Sequence, residues 1–183
     1  MRGIRSALLG ALAVALTVTS WGALGGTAVA KAAKVSCNPK TAVKEIEPLL
    51  DIEASVTNPM KKRLATLQFG NLKAVAKQVV AVDKSNPLKT VRAKPIADIT
   101  FPDKRSAIGN LTITLNPEGT QTINQGPQFF MCVGKDQGGT KKGAWRLTLY
   151  SYCNLAALAP CPSSLVTKAL NSLTPALQAE TTK

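Results

Sequence analysis

Between residues 41 and 52 the apolar positions Val43, Ile46, Leu49 and Leu50 recur at helical spacing, with Lys44, Glu45 and Glu47 between them. That pattern predicts an amphipathic helix with one face on a core. Pro48 falls inside the run and predicts a kink, because proline removes a backbone donor. The stretch that follows reads as a turn at Asn58-Pro59. From residue 71 Leu72, Val75, Ala76, Val79 and Val80 repeat at the same spacing until Asn86-Pro87 ends them, which predicts a second helix.

After Pro87 the pattern changes. The segments 90–101, 106–116, 127–135 and 144–153 are rich in β-branched and aromatic residues. They are separated by turn signals at Pro102-Asp103, Asn116-Pro117-Glu118-Gly119 and Asp136-Gln137-Gly138-Gly139, and read as four strands. Leu111, Ile113 and Leu115 alternate with Thr112 and Thr114, as a strand with one buried face requires. In the last segment Trp145, Leu147 and Leu149 fall opposite Arg146, Thr148, Tyr150 and Tyr152, so the sheet is expected to be covered on one side. A third helix starts at the caps Ser163 or Ser164, carries Leu165, Val166, Ala169, Leu170 and Leu173, and ends or bends before Pro175. Helices followed by consecutive hairpins give an α+β fold class: N-terminal helices packed against a mostly antiparallel sheet, with a C-terminal helix. Residues 41–178 are read as one domain, 31–40 as an extension and 179–183 as a disordered tail.

The first 30 residues carry Arg2 and Arg5, an apolar stretch from Ala7 to Val18, and the small-residue site Ala28-Val29-Ala30. These are the parts of a cleaved signal peptide, and they imply a secreted, extracytoplasmic protein. All four cysteines, Cys37, Cys132, Cys153 and Cys161, follow that segment, and an even count in an oxidising compartment points to disulfides. The chain has no histidine, which removes the usual base for a cysteine nucleophile and the usual partner of a mixed zinc site. No metal or other cofactor is implied. The short spacing of Cys153 and Cys161 favours their pairing, leaving Cys37 for Cys132, although four cysteines allow three connectivities.

With 23 Lys and Arg against 10 Asp and Glu, the formal charge is +13. The lysines are single or paired, without arginine runs or interleaved aromatics, so nucleic acid is not the expected partner. Lys61, Lys62 and Arg63, with Lys141 and Lys142 in a mobile basic hairpin tip at 134–143, are the candidate polyanion contacts. The sequence Asn110-Leu111-Thr112 matches a glycosylation acceptor, discounted here as accidental.

The C-terminal stretch "GAWRLTLYSYCNLAALAPCP", with Gly143 and Trp145 before the last strand and Cys153 and Cys161 after it, resembles the C-terminal domain of the mycobacterial and actinobacterial low-molecular-weight secreted antigen family. That resemblance implies secretion, a curved cone-like sheet of the nuclear transport factor two-like kind, and no catalytic residues to carry over. Enzymes on such cones keep an acid and a base inside. Asp98, with Tyr150 and Tyr152, is the only candidate interior set. Three function classes follow: a noncatalytic module holding a small apolar ligand or an envelope or protein partner, a cationic wall-polymer binder, and a hydrolase or isomerase using Asp98. The first is preferred, so the protein is not expected to be an enzyme.

Overall fold

Pro48 divides the first predicted helix in two. In the computed structural model, which describes residues 36–38, 40–85, 92–93, 97–114, 122–156 and 159–182, α1 (Ala42–Ile46) and α2 (Leu49–Ala54) meet at this residue. As the N-cap of α2, Pro48 lacks an amide proton where a helix start leaves donors unbonded in any case. Ile46 and Leu50 are buried beneath the pair. The Asn58-Pro59 signal marks a helix start as well as a turn: Pro59 is the N-cap of α3 (Met60–Leu64). α4 (Lys73–Ser85) follows the predicted periodicity and buries Val75, Gln78 and Val79. The expected signal segment 1–30 and the helix-ending Asn86-Pro87 lie outside the described residues.

The strands are β1 (Arg92–Ala93), β2 (Ala97–Asp103), β3 (Ser106–Thr114), β4 (Thr122–Val133) and β5 (Ala144–Leu147). β1 and β2 both pair with β3, β3 with β4 and β4 with β5, all antiparallel. Five strands therefore fill four positions of an open sheet, with β1 and β2 sharing one edge. At the other edge Leu147 donates to the Thr66 carbonyl and accepts from the Gln68 amide, both at 2.9 Å.

The sheet is not covered on one side only. Phe130 and Cys132 of β4 join Ala107, Leu111, Trp145 and Leu147 in a core shared with the helices. Phe129, Met131 and Val133, on the opposite face of the same strand, pack with Leu173 and Leu177. Those two leucines come from the chain of α6 (Ser163–Ser172) and α7 (Pro175–Glu180). The unbroken apolar run at 129–133 is the pattern of a strand buried on both faces. Thr174 caps α7 by accepting from the Leu177 amide, with Pro175 in the first turn. Ala179 and Glu180, read from the sequence as the start of a disordered tail, are the end of this helix.

The last predicted strand is also shorter than its alternation suggested. β5 ends at Leu147, and Thr148 turns the chain: its amide donates to the Phe129 carbonyl at 2.9 Å and its hydroxyl accepts from the Ser151 amide at 3.1 Å. This N-cap starts α5 (Leu149–Leu155), so Tyr150, Tyr152 and Cys153 lie on a helix rather than a strand. Alternation at 144–152 persists through the sequence, but the cap and the completed edge of Leu147 decide the conformation.

Both expected disulfides are formed, Cys37 with Cys132 and Cys153 with Cys161. The first ties the segment before α1 to β4. The second ties α5 to the entry of α6, not to the end of a strand. The Gln78 side chain of α4 donates to the Ala159 carbonyl, inside the loop that this second bond closes.

Candidate functional site

The most unusual chemistry lies inside the helical layer. Arg63, on α3, is 3 % exposed. Its Nε donates to the Glu53 carbonyl at 2.6 Å, while Nη1 and Nη2 donate to the two carboxylate oxygens of Asp83 at 2.7 and 2.8 Å. The Glu53 carboxylate lies 3.7 Å away. One guanidinium thus binds α2, α3 and α4 together, and its fork geometry fits the Asp83 carboxylate in the bidentate form that makes such pairs strong. Helical spacing explains why Arg63 points inward: it follows Met60 by three positions and precedes Leu64, and both of those pack on the core.

Burial governs the protonation of this cluster. Desolvation raises the Glu53 carboxyl to about 7, with Arg63 opposing the rise and Asp83 adding to it. Burial works against the charge on Arg63, but the Asp83 hydrogen bond and the Glu53 and Asp83 charges hold its pKa above the ordinary value. Tyr152 is 2 % exposed, and desolvation followed by the Glu53 charge pushes its hydroxyl up, so the phenol stays protonated. Among the described residues that hydroxyl has no hydrogen-bond partner. The cluster holds a carboxyl poised near neutrality, a fixed cation and a protonated phenol. Its hydrogen bonds, all made by Arg63, are spent on joining three helices.

The residues expected to touch a polyanion divide. Lys61, Lys62, Lys141 and Lys142 are exposed. Arg63 is not: the run Lys61-Lys62-Arg63 contributes two surface cations and one internal one, and Arg63 is removed from the contact set. The loop bearing Lys141 and Lys142 is fastened to the body rather than a free tip. The Phe69 amide donates to the Gln137 carbonyl at 2.8 Å, and the Gln68 side chain donates to that of Gln137 at 2.9 Å. Gly138 has φ +84, and a Cβ there would come within 3.2 Å of the Gly70 amide nitrogen. A side chain is thus disfavoured by both conformation and space.

Asp98 does not face inward. It is exposed, has φ 52 and sits where β2 slips register between Ala97 and Thr100. Bulges at edges re-aim side chains in this way, and aspartate tolerates the left-handed region better than most residues. Tyr150 is half-buried and stacks on Phe129 with ring centroids 5.7 Å apart. Tyr152 belongs with Arg63. The acid and the two phenols of the expected interior set therefore occupy an exposed edge, a packed aromatic pair and a buried ion cluster.

Sequence reading missed Glu53 and Asp83 as partners of Arg63, and it missed Gln68. This glutamine is fully buried, and its amide oxygen accepts from the Leu149 amide at 3.1 Å and the Ser172 hydroxyl at 3.4 Å. It positions α5 and the end of α6 at the edge of β5. Its only local signal is a polar residue between Leu67 and Phe69.

Among the described residues no helix is long and apolar enough to cross a membrane, and the two disulfides are consistent with an extracytoplasmic setting. No protein-family model, curated protein or solved structure matches the chain.

Proposed function

We propose that the protein is an exported, noncatalytic module that binds an anionic component of the cell envelope through its exposed lysines. The observation that carries this reading is the allocation of charge. Among the described residues both ion pairs belong to Arg63, and no lysine takes part in one. The chain nevertheless has a formal charge of +13. Cations without internal partners keep diffuse counterions, and a polyanion that displaces them gains the entropy of their release. Lys61, Lys62, Lys141 and Lys142 are all exposed for this purpose.

Export and a cone-like form of the open sheet enter the proposal from the leader-like N-terminus and the antigen-family resemblance at Gly143, Trp145, Cys153 and Cys161. The hydrolase alternative needed Asp98 in an interior, and its exposure counts against that use. Cosedimentation of the purified protein with isolated envelope, from low to high ionic strength, tests the reading. Binding that falls steeply with salt is expected. Absence of binding, or binding indifferent to salt, would overturn it.

A further inference from the structure

α4 carries a line of charge on the side turned away from the core. At 3.6 residues per turn, Lys73, Lys77, Val80 and Lys84 fall within an arc of about 60°, opposite the buried Val75 and Val79. All three lysines are exposed, and Val80 is 40 % exposed between them. At about 1.5 Å per residue the three charges extend over roughly 16 Å of helix. The one acid of the helix, Asp83, does not offset them, because both of its carboxylate oxygens accept from Arg63. The same ion pair links the last turns of α4 to α3, where Lys61 and Lys62 are exposed.

We infer that this ridge is the seat of a linear polyanion lying along α4, with Lys73, Lys77 and Lys84 as its principal contacts. The inference rests on the polyanion reading above and assigns its site. Shape argues for a chain over a small ion: one phosphate can bridge Lys73 and Lys77, a single turn apart, but Lys84 lies about 10 Å further along. Shape also argues against a bilayer. A helix that lies in a membrane interface inserts a broad apolar face, and the apolar face of α4 is occupied, with Val75 and Val79 fully buried. What α4 offers outward is a narrow cationic line.

The test uses the full exported chain with long-chain inorganic polyphosphate as probe, measuring the dissociation constant across a range of salt. The triple variant Lys73→Gln, Lys77→Gln, Lys84→Gln is compared with Lys40→Gln, Lys44→Gln, Lys104→Gln, which removes the same net charge from other exposed positions. Circular dichroism and melting confirm that both variants fold. The α4 variant is expected to weaken binding at least about tenfold at low salt and to lower the slope of log affinity against log salt by about 2 to 3, at roughly 0.7 to 0.9 per lost contact. The control variant should keep most of the slope. Equal losses in the two variants, or an unchanged slope in the α4 variant, would overturn the assignment to α4 while leaving polyanion binding in place. Failure of the unsubstituted protein to bind either polyphosphate or isolated envelope would overturn both. Tighter, Lys73-dependent binding to phosphatidylglycerol vesicles than to polyphosphate would replace the linear polymer by a membrane surface.

Discussion

On one side of the shared core, α2 and α3 are six and five residues long, too short to hold together by helix propensity. Arg63 sets their positions through directed, charged hydrogen bonds to Glu53 and Asp83. On the other side the sheet satisfies its own backbone, and Phe129, Met131 and Val133 pack on Leu173 and Leu177 with no carboxylate or cation in the cluster. The Cys153–Cys161 bond closes the neighbouring loop between α5 and α6. Short helices lack a ladder to fix their angles, so a polar hub does so at the expense of burying ionisable groups. A ladder already fixes strand positions, and apolar side chains need only fill space. The helical side is therefore the one whose stability should follow pH.

Four measurements break or sharpen that contrast. The largest effect is expected from the bond joining the two sides. Cys37 and Cys132 are 95 positions apart, and by chain entropy their cross-link contributes about 4 to 5 kcal/mol. Chemical denaturation of Cys37→Ser, Cys132→Ser should show a loss of that order. A loss smaller than that of the short-range pair would reverse the ranking.

Next is Arg63→Met, which keeps most of the bulk but leaves the buried Glu53 and the half-buried Asp83 without their cation. Removing one member of a buried charge cluster typically destabilises by about 3 to 5 kcal/mol. Adding Glu53→Gln and Asp83→Asn should restore part of the loss, and no recovery would mean that packing rather than charge is what Arg63 provides.

The third effect is the pH dependence itself. The folded pKa of Glu53, about 7, lies above the unfolded value of 4.5. The stability it contributes is thus whole below the unfolded value and is lost as pH rises through about 7. At about 1.4 kcal/mol per unit the difference is about 3 to 4 kcal/mol. Melting temperatures should fall across that interval, and Glu53→Gln should flatten the fall. An unchanged profile in that variant would assign the dependence elsewhere.

The smallest effect is expected at Cys153 and Cys161, whose separation is 8. Replacing both by serine should remove at most about 2 to 3 kcal/mol and lower the melting temperature without abolishing the fold. Peptide mapping under nonreducing conditions checks both linkages.

Local pattern carried much of the architecture. The 3.6 spacing of Leu72, Val75 and Val79 found α4, the alternation at Leu111 and Ile113 found β3, and Pro48 placed the break between α1 and α2. Cysteine count and the absence of histidine led to the disulfides. These features need only a residue and its near neighbours, since period and turn chemistry are properties of a short segment.

Other features depended on groups distant in sequence. Arg63 reads as one more surface cation after Lys61 and Lys62 until Asp83, 20 positions on, meets its guanidinium. Thr148 reads as a strand residue until its amide donates to the Phe129 carbonyl and its hydroxyl, accepting from the Ser151 amide, caps a helix. Gln68 becomes a hub only when α5, α6 and the 134–143 loop converge on it. The sequence by itself determined which segments are amphipathic, that an even set of cysteines suits disulfides and how cationic the protein is, because those follow from residue type and spacing. Only the tertiary structure decided which charges are spent inside and which remain outside, because burial and partner distance are set by chain packing, and they alone settle whether a charge can leave water.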